Sequence, residues 1–173
     1  MHQLLNDKNR SQAITQATLS KSELDFIQQV YLPENRYIKS AFCNNNIISF
    51  TLSVDSMLGI KRALSYAPAS TISAIVSQCG AICLWFKLCS LCNDVEMTYN
   101  KLVENELVGF KSEKIRYQNH LPLQLLTEGT ININRYFSLN KILCSSVSIE
   151  VQPYFNGHVL AYAYLGEPFF DSI

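Results

Sequence analysis

Along this chain the spacing of apolar residues changes several times, and each change marks an element. Leu24, Ile27 and Tyr31 share one face of the helical stretch LDFIQQVY, which the capping box Ser20-Lys-Ser-Glu23 opens and Pro33 closes. Residues 37–43 and 47–54 alternate or run apolar on either side of Asn44-Asn45-Asn46, a pattern that predicts a β-hairpin. The stretch PASTISAIVSQCGAICLWFKLCSLC, residues 68–92, is apolar on nearly every side. It begins at a proline suited to a first helical turn and predicts a helix of near 25 residues, roughly 37 Å long. Residues 93–110 carry Met97, Leu102, Val103, Leu107 and Val108 among charges, a spacing that fits strand or helix. Residues 114–117, 123–134 and 143–154 read as strands. Asn156-Gly157 predicts a type I′ turn between the period-two segments SVSIEVQPYF and HVLAYAYL.

Three explanations compete for the long apolar helix. A membrane span needs roughly 20 predominantly apolar residues, whereas the cleanest stretch, Ile72 to Phe86, is shorter, contains Ser73, Ser77 and Gln78, and runs into Lys87. A zinc site would start from Cys89-x-x-Cys92, but no second pair follows and His120 and His158 are isolated, so no metal is expected. The third explanation is a central helix of a soluble fold. A helix apolar all round must be covered on most sides, and an antiparallel sheet curled about it does this economically. The expected class is α+β with the hotdog arrangement, an antiparallel sheet wrapped around one long apolar helix. A polar N-terminal extension, residues 1–19, precedes a single domain over 20–173.

Composition narrows the function. A chain of 173 residues, 48% hydrophobic and 16% charged, can bury a core of its own. Its 14 basic and 14 acidic residues contain no dense basic run, which argues against nucleic acid as a partner. The opening MHQLLNDKNRSQAITQ has no apolar signal core, so a cytoplasmic location is expected and the six cysteines (43, 79, 83, 89, 92 and 144) read as free thiols.

The segments FIQQVYLPENRYIKSAFCNNNIISFTLSV, RALSYAPASTISAIVSQCGAICLWF and VSIEVQPYFNGHVLAYAYL together resemble the FcoT-like (type III) fatty acyl-CoA thioesterases, over about Leu24 to Leu165. The resemblance implies a hotdog fold, a homodimer or higher homo-oligomer, no cofactor, and hydrolysis of a fatty acyl thioester carried by coenzyme A or an acyl carrier protein. It also implies a site built from tyrosines and an asparagine in place of the usual carboxylate. One family tyrosine falls near Tyr31. The family Asn-Gln pair falls on Ser77-Gln78, which keeps the glutamine and not the asparagine. The second family tyrosine aligns with Ile60, and a shift of six residues puts Tyr66 there. A 3-hydroxyacyl-thioester dehydratase of the same fold would need a histidine before the helix and an acid at Ala74; this chain has only His2 before it.

Thioester hydrolysis requires donors for the developing oxyanion and a group that positions water. Backbone N–H groups at Ala69, Ser70 and Thr71 would supply the first with the helix dipole behind them. Ser77 or Gln78 would orient water, and Tyr31 and Tyr66 would donate to the carbonyl. Each also has a structural reading: Ser77 bonding the carbonyl one turn earlier, Gln78 satisfying a strand edge, the tyrosines packing, and His120 lying on the surface. Loss of catalysis with retention of an acyl tunnel gives the alternative of a non-hydrolytic acyl-binding protein.

Overall fold

The computed structural model describes residues 16–55, 66–139 and 141–165. Ile60, and the parts of the expected extension and C-terminus beyond these limits, lie outside the described residues. Helix α1, Lys21–Ile27, has the full capping box: Ser20 N donates to the Glu23 carboxylate at 2.8 Å and Glu23 N donates to Ser20 Oγ at 3.2 Å. It stops four residues short of Tyr31. Gln28 turns its amide to the backbone of Ile38, donating to the carbonyl at 3.1 Å and accepting from the N–H at 3.3 Å. A single 3-10 turn, Pro33–Asn35, follows.

Strands β1 (Gln16–Thr18), β2 (Ile38–Asn44) and β3 (Ile47–Leu52) start the sheet, so the last residues of the expected extension pair with β2. The β2–β3 hairpin turns at Asn45, whose φ of 56° is left-handed, and Asn46. Helix α2, Ala69–Cys89, is preceded by Pro68 at its N-cap and ends three residues before Cys92. The ambiguous stretch resolves into both element types: α3, Val95–Glu104, capped by Asp94 through Met97 N at 2.9 Å, and β4, Val108–Tyr117. Between them Glu106, at φ 55°, lets Leu107 N reach Leu102 O at 2.8 Å and close the helix.

β5 (Thr127–Leu139), β6 (Ile142–Val151) and β7 (Phe155–Tyr164) complete one antiparallel sheet in the order β1-β2-β3-β5-β6-β7-β4. The last turn corrects the sequence reading. It lies at Gln152–Pro153–Tyr154, and Asn156 and Gly157 are within β7, paired with Glu150 and Ile149. This register puts Phe155, Gly157, Val159, Ala161 and Ala163 on the buried face. Gly157 is there for close approach: a Cβ on it would meet Val76 Cγ2 of α2 at 3.1 Å.

The expected hotdog arrangement is present. α2 lies against β7, β6 and β4, while α1 and α3 cover its other side. Ile75, Val76, Cys79, Ile82, Cys83, Leu84 and Leu88 are all 0% exposed. The long apolar run is thus accounted for by burial inside the fold.

Candidate functional site

Only a few positions of α2 are not buried, and in its first half Ser70, Ser73 and Ser77 fall three and four residues apart on one face. Neither the sheet nor α1 and α3 closes over this stripe. At its inner end the structure gathers three of the expected residues. The Tyr31 phenol, brought in by the turn after α1, sits against the Ser77 hydroxyl. Burial pushes the phenol above its ordinary value and the serine hydroxyl partly offsets this.

Gln78 is adjacent and 0% exposed. Its Oε1 accepts from Tyr37 N at 2.9 Å and Ile38 N at 3.4 Å, and its Nε2 donates to Asn35 O at 2.8 Å. The amide therefore holds the segment that precedes β2, as the structural reading of a buried amide anticipates. Gln28 grips the same segment from α1, through Ile38. Gln78 of α2 and Gln28, the C-cap of α1, so fix the segment between Tyr31 and the sheet.

Tyr66 lies apart from this group, at the start of α2. It bridges to Pro122, Ala67 N donates to Leu121 O at 2.9 Å, and its ring stacks on His120 with centroids 4.0 Å apart. Tyr66, Ala69 and Ile72 line an open cavity of about 380 Å³ together with Tyr117, His120 and Tyr154. Of the proposed backbone donors, Ala69 borders this cavity, Ser70 is exposed on the serine stripe, and Thr71 is fully buried with a hydroxyl that has no hydrogen-bond partner. Among the described residues no side chain caps the helix start.

His120 is a surface residue, as expected, yet it is also half of the stack with Tyr66 that borders the cavity. Tyr117 and Tyr154 were not singled out from the sequence. Only the pairing of β4 with β7 brings them beside Tyr66, and no local pattern announces it. Among the described residues no group of three or more His, Cys, Asp or Glu side chains has the proximity to hold a metal ion. Cys89 is exposed and Cys92 half-buried, and all six cysteines are free thiols.

No family model and no curated protein matches the chain in sequence. Solved structures do resemble it. A putative thioesterase from Shewanella oneidensis aligns at 12% identity over 83% of this chain and 96% of its own, with a TM-score of 0.47. A hypothetical thioesterase with coenzyme A from Streptococcus pneumoniae aligns at 10% identity over 86% and 98%, with a TM-score of 0.45. A CurJ dehydratase, solved as an inactive mutant, aligns at 11% identity over 91% of this chain and 51% of its own, with a TM-score of 0.48.

Proposed function

We propose that the protein binds fatty acyl thioesters and hydrolyses them, the reading its resemblance to the FcoT-like thioesterases implies. The observation that carries it is the pairing of a half-buried Tyr31 with Ser77 on the open serine stripe of a mostly enclosed apolar helix. An acyl chain needs apolar cover and its thioester carbonyl needs donors, and this arrangement offers the two side by side. Tyr31 donates to the carbonyl oxygen as it gains negative charge, Ser77 holds the attacking water, and Gln78 positions the segment through its backbone bonds. Water adds to the carbonyl carbon, the C–S bond breaks, and the products are the free acid and the thiol. The thiolate is a tolerable leaving group because a thiol's pKa is about 8.5, far below that of an alcohol. Tyr66 and the start of α2 border the cavity through which the carrier end of the substrate enters. Among the described residues no strand pairs with the outer edge of β4, and two copies would join edge to edge there, leaving the outward face of β4 uncovered.

A second reading has its own observation. Among the described residues neither Tyr31 nor Ser77 is bonded to a carboxylate or imidazole that would take the proton from water, and the Gln78 amide is committed to backbone. That favours a protein that binds acyl thioesters and leaves them intact. Incubation with palmitoyl-coenzyme A and a thiol reagent separates the two. Steady thiol release supports the hydrolase, and saturable binding without release supports the acyl-binding protein.

A further inference from the structure

The outer face of the sheet, turned away from α2, is not uniform in charge. Lys111, Lys114 and Arg116 of β4 are exposed, and the register pairs them with Leu160, His158 and Asn156, the positions of β7 that alternate with its buried ones. Ser146, Ser148 and Glu150 of β6 continue the same rows. β5 adds Arg135, exposed, paired with Ser146, its guanidinium 4.8 Å from the Phe137 ring centroid. With strands about 4.8 Å apart, the three spacings from β4 to β5 put Lys111 and Arg135 roughly 14 Å from each other, and β4 itself carries its cations over about 16 Å.

None of these four cations takes part in the ion pairs among the described residues, which are Arg36–Asp25 and Lys39–Asp55. The same side of the sheet also carries acids: Glu150 of β6 and Glu128 of β5 are exposed and border one hollow with Gly129 and Thr130, and the sequence places Glu113 in β4. Further acids lie on the helices, Glu23 and Asp25 on α1 and Asp94, Glu96 and Glu104 on α3 or its cap. The cations are thus concentrated along β4, with Arg135 across the sheet from them, and do not cover the whole face. β4 leads straight from the patch to the cavity at the start of α2, because Tyr117, its last residue, is part of the cavity wall.

We propose that this face docks an acidic acyl carrier protein, whose phosphopantetheine arm then delivers the thioester to the cavity at the start of α2. The proposal rests on the acyl-thioester reading above and names its carrier. The cations lie in the open on two strands, the edge strand β4 and the inner strand β5, a span that suits the carboxylates of an acidic helix repeating every three or four residues. The phosphates of a single nucleotide would be too compact to reach them all. Unpaired surface charges of one sign steer an oppositely charged partner and set its orientation.

Two substrates carrying the same palmitoyl group test this: palmitoyl-pantetheine, which has neither phosphate nor protein, and a purified palmitoyl-acyl carrier protein. The triple variant Lys111→Glu, Lys114→Glu, Arg116→Glu is expected to lose about tenfold or more in kcat/KM for the carrier protein and to stay within about twofold for the pantetheine thioester. Arg135→Glu alone is expected to act in the same direction. Raising sodium chloride from about 50 to about 300 mM should weaken only the carrier-protein reaction, since exposed charges are screened. Binding of the unacylated carrier protein, followed by titration calorimetry, needs no hydrolysis; lost in the triple variant, it supports the docking even where palmitoyl-pantetheine is not cleaved. Equal kinetics and equal carrier binding in parent and triple variant would overturn it. So would binding of a double-stranded DNA oligonucleotide as tight as that of the carrier protein.

Discussion

The two halves of α2 share one helix and one composition yet face different surroundings. From Cys79 to Leu88 every residue except Lys87 is buried, with Trp85 wedged between Phe26 and Tyr99 at ring distances of 5.6 and 5.4 Å. From Ala69 to Gln78 the helix is buried on the sheet side but leaves Ala69, Ser70 and Ser73 exposed and Ser77 half-exposed. The second half is enclosed and organises the core. The first has a polar stripe and, among the described residues, no side-chain cap at its start, and most of the helix's exposed positions lie there.

If that division holds, the same charge should have opposite consequences in the two halves. Ile82→Asp, at a position 0% exposed, should leave no folded soluble protein, because an unpaired carboxylate would be buried. Ser73→Asp, on the open stripe, should change stability by no more than about 0.5 kcal/mol. Urea denaturation of both variants checks the contrast, and a folded Ile82→Asp protein would refute the enclosure of the second half. Next in size, Trp85→Ala should destabilise by about 3–5 kcal/mol by opening a cavity in the enclosed half.

At the boundary between the halves, Gln78→Ala leaves Tyr37 N and Asn35 O without their partner. It should lower stability by about 2–3 kcal/mol, since buried polar groups left unpaired are costly. Chemical denaturation gives this number, and a loss below about 0.5 kcal/mol would mean that the amide does not hold the segment before β2.

The enclosed half should also make the fold sensitive to alkali. Burial raises the Cys83 thiol above its ordinary 9.0 and the Tyr99 and Tyr136 phenols above their ordinary 10.0. In the unfolded chain these groups ionise from about those values, while in the folded chain they stay neutral. Their contribution is therefore complete below pH 9 and declines as pH rises beyond it. The urea midpoint should be flat from about pH 7 to 8 and fall by pH 10.5, less so in Cys83→Ala measured against its own midpoint at pH 7.

Much of this architecture was legible in the sequence where local rules and tertiary demand agree. The capping box at Ser20, the asparagine turn after β2 and the all-round apolarity of α2 each predicted what is found. Legibility failed where a distant partner decided the outcome. Asn156-Gly157 has the chemistry of a turn, but here the pair lies inside β7, paired with Glu150 and Ile149, and the glycine lets Val76 of α2 approach closely. The helical pattern of LDFIQQVY runs to Tyr31, but Gln28 bonds Ile38 instead and ends α1 early. At the site, Ser77 and Gln78 stood out as polar residues in an apolar helix, while Tyr31 was joined to them only by the family resemblance, because its approach depends on the turn after α1. Tyr117 and Tyr154 did not stand out, because β4 meets β7 only through sheet pairing. The basic patch was hidden for the same reason: no run of cations exists in the sequence, and the alternation of β4 together with Arg135 assembles one.

The central claim is that the open half of α2 acts on an acyl thioester through Tyr31 and Ser77. Its most direct test is the initial rate of thiol release from palmitoyl-pantetheine by the parent protein, Tyr31→Phe and Ser77→Ala, each first shown by circular dichroism to be folded. Turnover by the parent and a loss of about a hundredfold in each variant are expected, the scale for removing one donor or water-positioning group. Unchanged turnover in both variants would contradict the account.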